Sequence, residues 1–174
     1  SPDSVFFVRP AAFSIRRLYQ ALGDEAVEDV SPVYIFPAVW KNPWGTDRRA
    51  IMSMGVDPEK NQFDTPGFAE GLPLLRQQDA VLFDAASRPE FGDMRGRFDA
   101  DGVITTEVNN RTVKVVGLLE IGPSFGIDGT VMTSIDNWLR LFPDRPRDEI
   151  QLGLIRLKPG ADPVVARDRL RTEL

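Results

Sequence analysis

Gly122-Pro123-Ser124-Phe125-Gly126 spells G-x-S-x-G. In that spacing a serine hydroxyl is exposed on a strained strand-to-helix turn, beside backbone donors for an oxyanion. An apolar strand does precede it, but Thr130-Val131-Met132-Thr133 behind it reads as a second strand where the motif needs a helix. The chain has no His, so no imidazole can take the serine proton, and no lysine sits in a motif that could replace it. The stretch therefore reads as a glycine-rich connection between strands, with a Ser124 hydrolase as the alternative. It is not a phosphate cradle either, because it ends Asp128-Gly129-Thr130 where a P-loop ends Gly-Lys-Ser/Thr.

Other constellations carry less. Asp99-Ala100-Asp101-Gly102 resembles the start of a calcium loop, but the third acid and the closing bidentate Glu are missing, so a turn before a strand is expected. With no Cys and no His, the usual ligand sets for zinc, copper and iron are absent, and neither metal nor cofactor is expected. Asn110-Arg111-Thr112 is a glycosylation sequon on an exposed hairpin, relevant only in a eukaryotic secretory protein. Carboxylates are plentiful, yet no spacing singles out a general acid and base. Two aromatics stand in loops where burial is hard to arrange, Trp44 among Pro and Gly and Phe125 at the tip of the glycine loop. Exposed aromatics of this kind can anchor a protein partner. Trp138, by contrast, falls on the apolar face of a helix.

A net charge of −5 argues against a nucleic-acid partner, since the arginines come in pairs such as Arg16-Arg17 and Arg48-Arg49 diluted by nearby acids. Hydrophobic content of 42% suffices for a sizeable core. No apolar run approaches the ~20 residues of a membrane helix, and no signal-peptide pattern opens the chain. The first residues lead almost at once into a strand, and the last lie inside a helix, as expected of a domain excised from a longer protein.

The elements that must position these residues follow in order. Val5 to Val8 reads as a strand ended by Pro10, and Phe13 to Leu22 as a helix with Ile15, Leu18, Tyr19 and Leu22 on one face. Val30 to Trp40 is a strand interrupted or placed at an edge by Pro32 and Pro37, and Arg48 to Val56 is its partner. Asp57 to Asp79 is irregular, with one helical turn around Leu72 to Arg76. Ala80 to Asp84 is a buried strand. Val103 to Val108 and Arg111 to Ile121 form a hairpin around Asn109-Asn110, a pair that tolerates positive φ. The apolar second half of the longer strand predicts cover on both faces. Ser134 caps a helix through Phe142, Ile150 to Leu157 is a strand, and Asp162-Pro163 opens a final helix.

Several of these segments resemble the extracytoplasmic domain of DevC-type permeases, a branch of the MacB-type ABC exporters. They are 4–10, 18–23, Val81-Leu82-Phe83-Asp84-Ala85-Ala86-Ser87-Arg88-Pro89-Glu90-Phe91-Gly92, 113–118, Gly122 to Gly129 with its Ser124-Phe125-Gly126, and 154–162. The resemblance runs in order over nearly the whole chain. It implies an α+β fold, with a porter-like lobe of split βαβ (ferredoxin-like) type made by the two chain ends, 1–57 and 144–174, and an inserted mainly-β lobe at 58–143. It implies a non-catalytic domain on the periplasmic side of the inner membrane, within an integral membrane permease. Its partners would be a membrane-fusion adaptor, a cytoplasmic ATPase subunit and a second permease copy, the isolated domain being monomeric. The exported substrate would be lipid-like, a glycolipid or similar. Trp44 and Phe125 are the residues expected to meet the adaptor. A free-standing soluble binding protein for a small ligand is the remaining alternative.

Overall fold

The strands begin and end where the chain can no longer satisfy a ladder. The computed structural model describes residues 4–121 and 128–173. They fall into two compact units, one formed by 1–34 with 144–174 and the other by 35–143.

In the first unit, β1 (Ser4–Ser14) and the first half of β2 (Val27–Lys41) both pair antiparallel with β8 (Glu149–Leu157), which lies between them. They are therefore parallel to each other, and α1 (Ile15–Gln20) joins them as the crossover of a split βαβ unit. Pro10 does not end β1. It falls in the register shift between Val8 and Phe13, where a missing N–H costs no ladder bond, and the strand resumes to Ser14. Ser14 then caps α1, its hydroxyl accepting from the Arg16 N–H.

The buried face of α1 also differs from the expected one. Leu18 and Ala21 are buried while Tyr19 and Leu22 are 48% and 47% exposed; the tightening into a 3-10 turn at Ala21–Gly23 puts Ala21 on the face in place of Leu22. A Cβ on Gly153 of β8 would lie 2.7 Å from Leu18 Cδ1, so glycine there lets α1 seat closely on the sheet. After the turn, Asp24 accepts both Nε and Nη2 of Arg169, which lies on α5 (Pro163–Glu173), at 2.9 and 2.8 Å. Asp162 caps α5 as the sequence suggests, accepting from the Val164 and Val165 N–H groups.

The second unit holds the rest of β2 with β3 (Arg48–Val56), β4 (Ala80–Asp84), β5 (Ile104–Val108), β6 (Arg111–Leu119) and β7 (Thr130–Ser134). Their order is β2-β3-β7-β4-β6-β5, and β5 meets β2 again at Trp40↔Val108, so the sheet curls into a ring. Two of its pairings, β3 with β7 and β4 with β6, are parallel. The first division of the chain, between Tyr34 and Ile35, thus precedes the hairpin and does not fall at 57/58. Parallel pairing with β7 draws β3 into the second unit, and closure against β5 draws in the far half of β2.

Among its described residues this unit has three α-helices, α2 (Phe68–Gly71), α3 (Met94–Asp101) and α4 (Ile135–Leu141). On α4, Trp138 donates to Ser53 Oγ at 3.0 Å, and Ser53 donates in turn to the Phe36 carbonyl at 2.6 Å. Asn137 donates to the carbonyl of Gln77 at 2.9 Å and accepts from the Asp79 N–H at 3.1 Å, pinning the entrance of β4 to the helix. At the β5–β6 turn Asn109 and Asn110 have φ of 51° and 63°, the left-handed pair that a two-residue hairpin of this twist requires. The second half of β6 is only half-buried at Val116, Gly117 and Leu118, since short α2 and the loop before it cover that face in place of a full helix.

Candidate partner-binding site

Trp44 sits in the loop between β2 and β3, and its placement is fixed by short-range bonds. The Asn42 N–H donates to the Asp47 carbonyl at 2.9 Å, and Asn42 Oδ1 accepts from the Trp44 N–H at 3.0 Å. The side chain is 43% exposed. Its ring lies on Gly92, where an added Cβ would come within 2.8 Å of Cζ3, and Gly92 has a φ of +115° that L side chains rarely adopt. The guanidinium of Arg97, on α3, lies 5.5 Å from the ring centroid in cation–π contact. Trp44 is thus a half-exposed aromatic whose ring is met by Gly92 and by the Arg97 guanidinium.

The segment 84–92 organises this corner. Asp84 is buried at the end of β4, and its Oδ1 accepts from the N–H groups of Ala86 and Ile121, both at 3.1 Å. Ser87 Oγ accepts from the Thr130 N–H at 3.2 Å, and Arg88 pairs with Asp128 at 2.8 Å while its N–H donates to the Asp128 carbonyl. Phe91 is buried against Gly129, and its carbonyl accepts from Trp40 Nε1 at 3.0 Å. Arg95 pairs with Glu120, whose carbonyl accepts from Thr65 Oγ1. Glu120-Ile121 and Asp128-Gly129 are therefore each tied to the ring by several bonds. Ser124 and Phe125, the candidate nucleophile and the second candidate anchor, lie outside the described residues.

The charged side chains nearby are largely spoken for. Glu107 on β5 accepts from Arg48 at 2.8 Å and from Lys41 at 3.4 Å, and the Arg48 bond, ahead of Lys41, holds its carboxyl below the usual glutamate range. Asp99 and Asp101 fall at the end of α3 and not in a calcium loop, and among the described residues no group of three or more His, Cys, Asp or Glu could hold a metal ion. A groove of about 500 Å³ along α5, lined by Val165, Asp168, Arg169 and Thr172, is open to solvent and half charged in its lining. No described helix is long and apolar enough to cross a membrane.

Trp44 is exposed, as its loop context leads one to expect, while Gly92 and Arg97, which meet its ring, carry no mark of that role in the local sequence. Asp93, which caps α3 by accepting from the Gly96 N–H at 3.1 Å, was the available signal for that helix. Arg97 and Trp44 are far apart in sequence, and only the fold brings them together.

No protein-family model matches the chain, and no curated protein matches it in sequence. Solved structures do. The periplasmic region of MacB from Actinobacillus actinomycetemcomitans matches with a TM-score of 0.67 at 11% identity, over 98% of this chain and 81% of that one. The extracellular domain of the noncanonic ABC-type transporter YknZ from Gram-positive bacteria matches with a TM-score of 0.60 at 11% identity, over 97% and 87%. A domain assigned to a permease of Porphyromonas gingivalis matches with a TM-score of 0.52 at 17% identity, over 88% and 73%. Both units of this chain thus share the α+β fold of the MacB periplasmic region and of the YknZ extracellular domain.

Proposed function

We propose that this chain is the extracytoplasmic domain of an ABC exporter permease, non-catalytic itself, which docks a membrane-fusion adaptor and passes ATP-driven movement on to it. The observation that carries the reading is the likeness to the MacB periplasmic region, which spans 98% of the chain and so includes both units. In this reading the unit built from the chain ends is the porter-like lobe, and the ring is the inserted lobe. ATP hydrolysis belongs to a separate cytoplasmic subunit, and a second permease copy completes the transporter. The domain faces the periplasm, and the cargo is lipid-like. Trp44 supports the docking role, since a rigid, half-exposed Trp is the residue type that dominates protein interfaces. Phe125 is the second proposed contact, on its position in the sequence.

The test is direct. The parent gene should encode an apolar segment of ~20 residues before Ser1 and more after Leu174. The purified domain should bind the adaptor encoded beside that gene, and Trp44→Ala should weaken binding by about tenfold or more. A parent protein without membrane segments would sink the reading. If binding were indifferent to both Trp44→Ala and Phe125→Ala, both residues would be dismissed as anchors.

A further inference from the structure

We propose that Arg97 is the specificity-determining cation of the Trp44 surface and takes a carboxylate from an acidic segment of the docked adaptor, an inference that rests on the docking reading above. Most arginines of this unit give their donors to carboxylates. Arg48 hydrogen-bonds Glu107, Arg88 is paired with Asp128, and Arg95 with Glu120. Arg97 is different. Its nearest carboxylate, Asp101 one turn further along α3, is 3.7 Å from Nη1, beyond hydrogen-bond distance, and both side chains are more than half exposed. No acceptor among the described residues takes a bond from its guanidinium. The side chain is 54% exposed and its guanidinium lies 5.5 Å from the Trp44 ring centroid, so its N–H donors remain available on a group the ring helps to steady.

A guanidinium steadied in this way suits a carboxylate, which it can grip through two parallel bonds at little further ordering cost. Beside it, Trp44 offers an apolar surface for the side chain next to that acid. The charge count favours a carboxylate over a phosphate, because Asp101 already places one negative charge at the edge of the site and would repel a dianion more strongly. Asp101 also competes for Arg97. Its removal should free the arginine, which gives the proposal a signature that a merely structural role for Arg97 would not produce. Asp101 ends a helix, where a negative charge opposes the helix dipole, so Asp101→Asn should not harm folding.

Binding of the adaptor to the purified domain, measured by calorimetry at two salt concentrations, tests this. Arg97→Ala should weaken binding about tenfold and flatten its salt dependence, and Arg97→Lys should restore only part of the loss. Asp101→Asn should tighten binding about two- to fivefold. Unchanged affinity in Arg97→Ala and Asp101→Asn, with Trp44→Ala still weakened, would overturn the carboxylate proposal and leave adaptor docking standing. If the unmodified domain failed to bind the adaptor, the docking reading and this proposal would both fall.

Discussion

Gly92 joins two demands that only glycine meets together: a φ of +115° and a Trp44 ring lying where a Cβ would go. Gly92→Ala should therefore strain the backbone and push the indole off its seat, costing about 1–3 kcal/mol in urea unfolding. Adaptor affinity should fall with it, because the aromatic would lose its fixed position; full affinity would show that Trp44 needs no such seat. A second residue-scale prediction concerns Asp24, whose side chain is buried while Arg169 is partly exposed. The Arg169 bonds, helped by the Ala26 N–H, hold the Asp24 carboxyl below its ordinary value. A carboxyl depressed by folding adds stability above its unfolded pKa of about 3.9 and loses it as pH falls through the lower, folded value. Arg169→Ala should cost about 1–2 kcal/mol at pH 7, and the difference from the parent should shrink towards pH 2. A constant difference across that range would mean Arg169 acts through packing alone.

Among the elements, α4 shows how tightly this fold is seated. A Cβ on Gly55 would lie 2.7 Å from Trp138 Cβ and 2.8 Å from its Cγ, so Gly55→Ala must separate β3 from α4 or bend one of them. A loss of about 1–3 kcal/mol in thermal or urea unfolding is expected, with the near-ultraviolet signal of the buried Trp138 altered. An unchanged melt would mean the helix can shift freely. Elements with local chemistry were legible in the sequence: Ser134 announces α4, Asp162-Pro163 announces α5, and Asn109-Asn110 announces the hairpin, because a cap or turn needs only neighbouring residues. The helix α3 was not legible, since Met94 is its only buried residue and no apolar period marks it. Pro10 misled for a related reason: proline stops a regular ladder, and the bulge that accommodates it depends on the partner strand β8. At the candidate site, the loop context of Trp44 told of its exposure, while Gly92 and Arg97 depend on contacts between distant segments that no local pattern encodes.

At the scale of the whole molecule, the pairing of distant segments decides the architecture, and it accounts for a fold shared with the MacB periplasmic region at only 11% identity. The split βαβ unit requires β8, from near the end of the chain, to enter between β1 and β2, and the ring requires β7 to enter between β3 and β4. Such constraints fix strand order and leave most side chains free, so sequence likeness can fade while the topology persists. The same topology makes a prediction about cooperativity. Each unit has its own core, yet β2 runs unbroken through both, with residues 27–33 paired to β8 and Trp40 paired to Val108. The Asp24 bonds that Arg169→Ala removes lie within the first unit, so amide exchange should quicken in β1 and β8 while β4 and β7, buried in the ring, keep their protection. Gly55→Ala should give the reverse pattern. Were either substitution to raise exchange equally in both sets of strands, β2 would be transmitting the loss, and the two units would unfold as one.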